Sequence, residues 1–444
     1  MFTRRNGFIA LILAVLVIAI AAIMILMADS EDEDAETLEQ APAAQSGTPT
    51  AITPATGATA VPSTFILAEV TEPDPREENP TLASANDYYG FAWQMFMYVN
   101  QPYIIFVGGS LTRWEAWQAS TDIYLPCGAR PADYNTEEPP ALPEEVKPLL
   151  PEGVEYARPM LFTDKFLEST IEIDGETLVD TNGNPIRFEV RMNPSTVNTV
   201  MTNGFYNRDN QVAYFNSSRN DFQFAPESLE VKASWRQLLP SDDASRYYVN
   251  YGYYYDQQGN PVVIKVGLTG LHITSKFLPN WIWMTFEQVD NQTMTTAPLV
   301  DPIPPDVQQV NDTVHNNLPA TSIWRYYNLR GVQTEFAING QPTILANTQI
   351  ETQFQESSSC ITCHGLATIG ASSDGRLGFF DFFASDFRAF VGGLEGQTFY
   401  ATDDTEVFFN GVNAFAQQSG RVRYKQLDFV WSLKEAQSPS MCNQ

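Results

Sequence analysis

Residues 247–275 read YYVNYGYYYDQQGNPVVIKVGLTGLHITS and contain the strongest strand signal of the chain. Two runs rich in aromatic and β-branched residues flank QQGN at 257–260, a sequence typical of a hairpin turn. The stretch 281–290, WIWMTFEQVD, alternates as a further strand, and residues 333–354 predict a second hairpin that turns at Asn339-Gly340. The sequence therefore predicts a body in which strands dominate.

Two other stretches predict helices. Residues 84–101, SANDYYGFAWQMFMYVNQ, offer Ser84 or Asn86 as an N-cap and place aromatic side chains on one face. Residues 193–205, NPSTVNTVMTNGF, are a second candidate helix. Strands and helices together, with 43% hydrophobic residues to supply a core, indicate an α+β fold.

The first 63 residues differ from this body. Residues 7–28 form an uncharged apolar run, and 22 helical residues span roughly 33 Å, enough to cross a bilayer core. Arg4 and Arg5 precede the run and acidic residues follow it, so the N-terminus is predicted to stay in the cytoplasm while the body is exported. A cleaved signal peptide is the alternative, although its apolar region would be shorter. Residues 29–63, acidic and then rich in Ala, Pro and Thr, predict a flexible linker.

The charge balance limits the classes of partner. The 444 residues include 25 Lys and Arg against 53 Asp and Glu, a formal net charge of -28. This argues against nucleic acid as a partner, because phosphate binding requires a basic surface. A protein partner of so acidic a surface would be basic.

The segment SSSCITCHG at 357–365 contains Cys360, Cys363 and His364 in the arrangement C-x-x-C-H. Two thiols at this spacing reach the two vinyl groups of a haem, and the next residue places its imidazole beneath the iron. With so few Cys and His in the chain, a chance match is expected roughly 2 times in 10,000. A zinc site would need a second ligand pair, and a redox dithiol would need a thioredoxin-like setting. The motif therefore predicts one covalently bound haem c.

The second axial ligand of that iron is left open by the sequence. His272 lies in the predicted strand GLTGLHITSK and is the preferred candidate, its other role being a hydrogen-bonded core histidine. An open position is an alternative. The remaining candidate ligands are His315, Met441 and four methionines that are more typical of core packing, Met95, Met97, Met201 and Met284.

Three further features have two interpretations each. The run GFFDFFASDFRAF at 378–390 can surround a haem or fill an ordinary core, and Arg376 or Arg388 can pair with its propionates. Cys127 and Cys442 can form a disulfide in an oxidising compartment or stay free. The acidic pair Glu287 and Asp290 can transfer protons or cap a loop.

Several stretches resemble a family of large exported bacterial cytochrome c proteins. They are FAWQMFMYVNQP (91–102), RWEAWQASTDIYLP (113–126), GLTGLHITSKFLPNWIWMTFEQVDN (267–291) and ILANTQIETQFQESSSCITCHG (344–365). The resemblance covers nearly the whole body and implies a single unit in which Cys360, Cys363 and His364 bind haem. It also draws attention to His272, which lies inside a matching stretch. One departure is Gln288, where a histidine is expected.

The predicted fold class is therefore α+β, a single large strand-rich body with a C-terminal c-type haem segment, preceded by one N-terminal transmembrane helix. The predicted parts are an anchor (1–28), a linker (29–63), a strand-rich mixed region (64–343), a haem-binding segment packed on it (344–437) and a tail (438–444).

These features predict a membrane-anchored, single-pass c-type cytochrome whose body lies in the periplasm or otherwise outside the cytoplasmic membrane. It would transfer single electrons to or from a redox partner protein. Two alternatives remain. One is a haem enzyme, peroxidase-like or oxidase-like, with an open distal site, since the long region before the motif could line a substrate pocket. The other is a haem-based sensor or binding module.

Overall fold

The structure is a computed structural model, and all of the residues it describes belong to one compact unit, Val61–Gln444. It describes residues 85–106, 109–133, 142–159, 179–217, 222–256, 258–291, 303–338, 341–349, 351, 355, 358–365, 367–370 and 425–442. The predicted anchor and linker, the Phe-rich run at 378–390, Arg376 and Arg388 lie outside the described residues.

An eight-stranded, almost wholly antiparallel sheet forms the centre of this unit. Its strands are β3 (Gln118–Ala119), β4 (Arg158–Pro159), β5 (Arg187–Met192), β6 (Leu229–Gln237), β7 (Val249–Tyr255), β8 (Pro261–Ser275), β9 (Ile282–Gln288) and β10 (Tyr327–Gln333). They pair in the order β10-β9-β8-β6-β5-β3, with β7 on β8 and β4 parallel to β7. Three two-stranded pairs complete the described strands: β1 (Pro102–Phe106) with β2 (Gly109–Thr112), β11 (Ala337–Ile338) with β12 (Gln341–Pro342), and β13 (Thr368–Ile369) with β14 (Lys425–Gln426).

Strand β8 is the longest and organises the sheet. One edge of β8 pairs with β6, while the other pairs first with β7 through 261–267 and then with β9 through 270–275. The β7–β8 hairpin turns at 256–260, where the Asp256 carboxylate accepts hydrogen bonds from the backbone N–H groups of Gln258 (2.9 Å) and Asn260 (2.8 Å). Gly259 has a φ of 82°, a left-handed conformation that favours glycine.

The α-helices in the described part of the chain are short. They are α1 (Ala85–Val99), α2 (Ser120–Ile123), α3 (Pro194–Asn203), α4 (Arg208–Asn216), α5 (Pro305–Asn317) and α6 (Cys360–His364). Local sequence explains their ends in the case of α3. The Asn193 side chain accepts from the backbone N–H of Thr196 (3.0 Å), Pro194 begins the helix, and Gly204 ends it with a φ of 67°.

One face of the sheet is apolar. Val231, Ile273 and Met284 are register partners across β6, β8 and β9, and all three are fully or almost fully buried. Helix α1 covers this face, and its Trp93 and Phe96 rings lie 5.1 Å and 4.3 Å from the Phe286 ring. Because each fully buried side chain of this size contributes about 1.5–3 kcal/mol, this face supplies much of the stability of the fold.

The opposite face of the same strands is polar and is the face that positions the site. Lys232, His272 and Thr285 are register partners across β6, β8 and β9. The loop at 345–351 covers this face closely at Gly270, where an added Cβ would lie 2.7 Å from Ser234 Oγ and 2.9 Å from Asn347 Nδ2. A glycine is therefore required for the loop to approach the sheet.

The predicted fold class is wrong. The described residues form a strand-rich unit with six α-helices, of which only α1, α3 and α5 reach ten residues. The described residues between 344 and 442 give no positive evidence of the predicted C-terminal haem segment, and α6 and the β13–β14 pair contribute to a hydrophobic cluster shared with the sheet. The physical reason is that β-branched and aromatic alternation from 229 to 288 builds three long neighbouring strands, on which helix α1 packs.

The predicted transmembrane helix, residues 7–28, lies outside the described residues. In the portion that the structure describes, no helix has both the length and the apolar character needed to span a bilayer.

Several predicted elements are confirmed individually. The hairpin in 247–275, the strand in 281–290 and the helices in 84–101 and 193–205 are present as β7–β8, β9, α1 and α3. The second hairpin is confirmed only as the two residue pairs of β11 and β12 around 339–340. The predicted division at residues 343/344 and 437/438 stays a prediction.

Candidate functional site

Helix α6 places the three residues of the C-x-x-C-H motif on one turn. Cys360 and Cys363 are three residues apart and His364 is four from Cys360, so they lie close together on the helix surface. Gln333 at the end of β10 fixes the start of the helix, because its Oε1 accepts from the Ile361 backbone N–H (3.0 Å) and its Nε2 donates to Ser359 Oγ (3.0 Å).

Both thiols of the motif are unbridged, whereas the other two cysteines form the Cys127–Cys442 disulfide, with Cα atoms 5.5 Å apart. Burial raises the pKa of Cys363 to about 12 and that of Cys360 well above its ordinary value. A dithiol oxidoreductase needs a lowered thiol pKa, so this environment does not suit that chemistry.

His364 is held from one side of its ring. Its Nδ1 donates to the Phe429 carbonyl (2.8 Å), a geometry that places the ring proton on Nδ1. Burial lowers the pKa of His364 to about 3, so the imidazole is neutral, and Nε2 makes no hydrogen bond to any described residue. The Trp283 ring lies 4.4 Å from the imidazole. A neutral histidine with one nitrogen anchored and the other unpartnered is the usual form of a metal ligand.

His272 faces the same region from the sheet. Its Nε2 is buried and, within the described part of the chain, has no hydrogen-bond partner, and Glu351 Oε2 lies 3.8 Å away. Burial lowers its pKa well below the ordinary value, and the charges of Lys232 and His364 lower it further. His364 thus influences the pKa of His272, although the two are 92 positions apart in the sequence.

Charged residues surround His272. Burial lowers the pKa of Lys232 to about 8 and raises the pKa of Glu351 to about 8. Burial also raises the pKa of Glu230 to about 7, although the hydrogen bond that Ser432 Oγ donates to its carboxylate (2.8 Å) has a lowering effect. The polar face of the sheet thus presents acid and base groups that change charge near neutral pH.

The C-terminal part of the described chain closes over α6. Trp431 Nε1 donates to the Cys363 carbonyl (3.0 Å), and Leu427 N donates to the Ala367 carbonyl (2.8 Å). Cys363 is consequently only 3% exposed.

Other residues named from the sequence lie elsewhere. His315 is on α5, where its Nε2 contacts the Tyr327 carbonyl (2.8 Å) and its ring meets Trp93 on the apolar side of the sheet. Met95 and Met284 are buried in the same apolar cluster. The Met441 side chain lies outside the described residues.

Glu287 and Asp290, the acidic pair of the sequence, have different partners in the structure. Glu287 lies 3.5 Å from Arg330 and hydrogen bonds to Thr348, and burial raises its pKa to about 7. Asp290 instead accepts two hydrogen bonds from Arg246 (2.7 Å and 2.5 Å), which lower its pKa.

Gln288, where a histidine was expected, donates to the Arg246 carbonyl (3.2 Å). It follows Glu287 on β9, so its side chain leaves the sheet on the opposite face from Glu287. A histidine at this position would therefore not join His272.

An open cavity of about 610 Å³ lies beside β5 and α3, lined by residues that include Gln118, Arg130, Met192 and Met201. None of the motif residues and neither His272 nor His315 lines it.

The residues present fit a haem of the c type. Two unbridged thiols, a neutral imidazole anchored at one nitrogen and a second buried imidazole without a hydrogen-bond partner among the described residues are the kinds of donor that such a cofactor uses. Within the described ranges, no group of three or more His, Cys, Asp or Glu side chains is arranged to hold a metal ion unaided. Comparisons with protein-family models, with curated proteins and with solved structures found no match.

Proposed function

We propose that this chain is an exported c-type cytochrome that binds one haem c covalently and transfers single electrons. Cys360 and Cys363 would hold the cofactor by thioether bonds, and His364 would be an axial ligand of its iron. The proposal depends on one observation above all: the His364 ring is neutral, anchored at Nδ1 and unpartnered at Nε2, on the same turn as two unbridged thiols. Reversible one-electron change at the iron is the chemistry that the bound group supplies.

The state of the cysteines supports covalent attachment and export. Each thiol would add its S–H across one vinyl double bond of the haem, a reaction that needs reduced thiols and consumes no oxidant. Cys360 and Cys363 are reduced while Cys127 and Cys442 are bridged. A disulfide between distant cysteines is typical of an oxidising, extracytoplasmic compartment. Tethering by residues 7–28 stays a prediction from the sequence.

His272 is proposed as the second axial ligand. Its buried Nε2 lacks a partner among the described residues, and its lowered pKa keeps the ring neutral, the form that binds iron. Two histidine ligands favour electron transfer, because no position remains for a substrate. The acidic chain, with a formal net charge of -28, favours a basic redox partner.

A haem enzyme with an open distal site is the second candidate. The observation that favours it is the position of Lys232 and Glu351 beside His272, an acid–base set next to the proposed iron site. In that case His272 would transfer protons and would not bind iron.

The first experiment tests covalent binding. The full chain is expressed with export and a c-type haem maturation system, and haem retained on a denaturing gel is measured. Wild type should keep its haem, C363A should lose most of it, and C127A/C442A, which removes the other two cysteines, should keep it. Wild-type protein without covalent haem would contradict the proposal.

A second experiment separates the two candidates. Electron transfer predicts a low-spin spectrum of the iron that does not change with peroxide, cyanide or CO. A high-spin spectrum that shifts on adding these molecules would favour the enzyme.

A further inference from the structure

We infer that Lys276 and Asp428 act as positioning residues for His364, by clamping the turn whose carbonyl holds the imidazole. The inference rests on the proposed function, since its effect is measured at the iron. Neither residue lies in the C-x-x-C-H motif, and neither contacts the proposed ligands directly.

The turn itself is strained. Asp428 and Phe429 have φ values of 49° and 68°, so two successive residues other than glycine adopt the left-handed conformation. Such residues persist only where the surrounding structure holds them. This conformation directs the Phe429 carbonyl at His364 Nδ1, 2.8 Å away. The hydrogen bond to the imidazole therefore depends on keeping an unfavourable backbone conformation.

The Asp428 side chain stabilises the turn through an ion pair and a hydrogen bond. One carboxylate oxygen accepts from Lys276 Nζ (2.6 Å), and the other accepts from the Phe224 backbone N–H (2.7 Å). Lys276 also donates to the Pro279 carbonyl (2.7 Å). Both side chains of the ion pair are 5% exposed, so breaking the pair would leave an uncompensated buried charge.

The Lys276–Asp428 clamp is attached to β8, the strand that carries His272. Lys276 directly follows the last residue of β8, and its backbone N–H donates to the Ser228 carbonyl (3.0 Å) next to β6. Strand β8 therefore supports His272 through its pairing and His364 through the clamp. The two proposed axial ligands are positioned by one element.

The consequence concerns the strength of His364 as a ligand. An imidazole that donates from Nδ1 to a fixed carbonyl is a more basic ligand and stabilises the oxidised iron. Release of the turn would weaken that hydrogen bond and raise the reduction potential. Loss of the positive charge of Lys276 alone would lower the potential, so the two effects of K276M have opposite signs.

The test compares full-length holoprotein of K276M, K276R and K425M. Lys425 is the matched control, since it anchors the same segment through the carbonyls of Tyr214 and Ser217. Potentials are measured by spectroelectrochemical titration, together with covalent haem content. In K276M the equilibrium constant for reduction of the iron should rise about tenfold, which raises the reduction potential by about 59 mV for one electron. K276R and K425M should keep a potential near that of wild type. The clamp predicts that release of the turn outweighs the lost charge of Lys276, so a potential of K276M at or below that of wild type, with haem attached, overturns it.

A second pair of variants keeps the test valid if K276M fails to fold. D428A and D428G remove the same charge and the same carboxylate, but only glycine adopts a positive φ without cost. The potential should rise more in D428A than in D428G, and equal potentials overturn the inference. Wild-type protein without covalent haem would instead mean that the proposed function fails, and the inference with it.

Discussion

His272 has a buried nitrogen without a hydrogen-bond partner among the described residues. Leaving such a group unsatisfied costs about 1–3 kcal/mol, so its presence on the polar face of β8 calls for a ligand. A proposed iron site supplies one. The same reasoning does not apply to His315, whose Nε2 contacts the Tyr327 carbonyl.

We therefore expect H272A to lose most of the low-spin signal of the loaded protein, because the iron loses one axial ligand. Absorption and EPR spectra of the oxidised protein measure this change. H315A is the control and should keep the wild-type spectrum. A low-spin spectrum that is the same in H272A and wild type removes His272 as a ligand.

Glu287 gives a prediction for pH dependence. Burial raises its folded-state pKa from 4.5 to about 7, so the folded protein binds this proton more tightly than the unfolded chain. Its contribution to stability is fully present below pH 4.5 and is lost as the pH rises through 7, a change on the order of 3 kcal/mol. In E287Q this part of the pH dependence should disappear.

Urea unfolding of wild type, E287Q and D290N at pH 5 and pH 8 measures the effect. Arg246 lowers the pKa of Asp290, so the stability that Asp290 contributes is lost only as the pH falls below its ordinary value of 3.8. D290N should therefore leave the difference between pH 5 and pH 8 unchanged. A difference between pH 5 and pH 8 that is as large in E287Q as in wild type would contradict the prediction.

The sequence predicts some residues of the site and not others. Cys360, Cys363 and His364 are found from spacing alone, because the chemistry fixes their separation along the chain. Lys232, Glu351 and the Phe429 carbonyl reach the site through strand register and turn geometry. A backbone carbonyl has no side-chain signal, and an isolated lysine in an alternating strand reads as solvent-exposed.

At the level of elements, β8 depends on Gly270. An alanine there would place its Cβ 2.7 Å from Ser234 Oγ and 2.9 Å from Asn347 Nδ2, so the loop at 345–351 would have to move. We expect G270A to lower the free energy of unfolding by about 1–3 kcal/mol.

The matched control is G90A. Gly90 lies inside α1, and an added Cβ there meets nothing within 4 Å. Replacing it should stabilise the protein by about 0.5–1 kcal/mol, because alanine is the better helix former. Urea unfolding of both variants is the measurement. Equal effects of the same sign would show that the close approach at Gly270 carries no cost.

The elements with strong local signals were predictable. Alternation of aromatic and β-branched residues gave β7, β8 and β9, and aromatic periodicity gave α1. The fold class was not predictable from these signals, because the balance between helix and sheet depends on which segments pair over long distances. Strands β5 and β6, for example, pair residues such as Phe188 and Ser234 that lie far apart in sequence.

For the whole molecule, the Cys127–Cys442 disulfide ties the C-terminal segment over α6 to a turn 315 positions earlier. Removal of a native disulfide typically costs about 2–5 kcal/mol. We expect C127S/C442S to be less stable by this amount in urea. Covalent haem content should be unchanged, since the other thiols do not depend on this bridge. Wild-type stability in C127S/C442S would show that packing alone holds the segment.

The burial of Cys363 beneath Trp431 has a consequence for the order of events during biogenesis. Residues 425–442 leave the ribosome after α6, and once they fold they cover a thiol that is then only 3% exposed. A maturation enzyme needs that thiol in reach. If the chain binds haem c as proposed, loading would have to precede the closure of residues 425–442, because a closed and empty protein would no longer offer the Cys363 thiol.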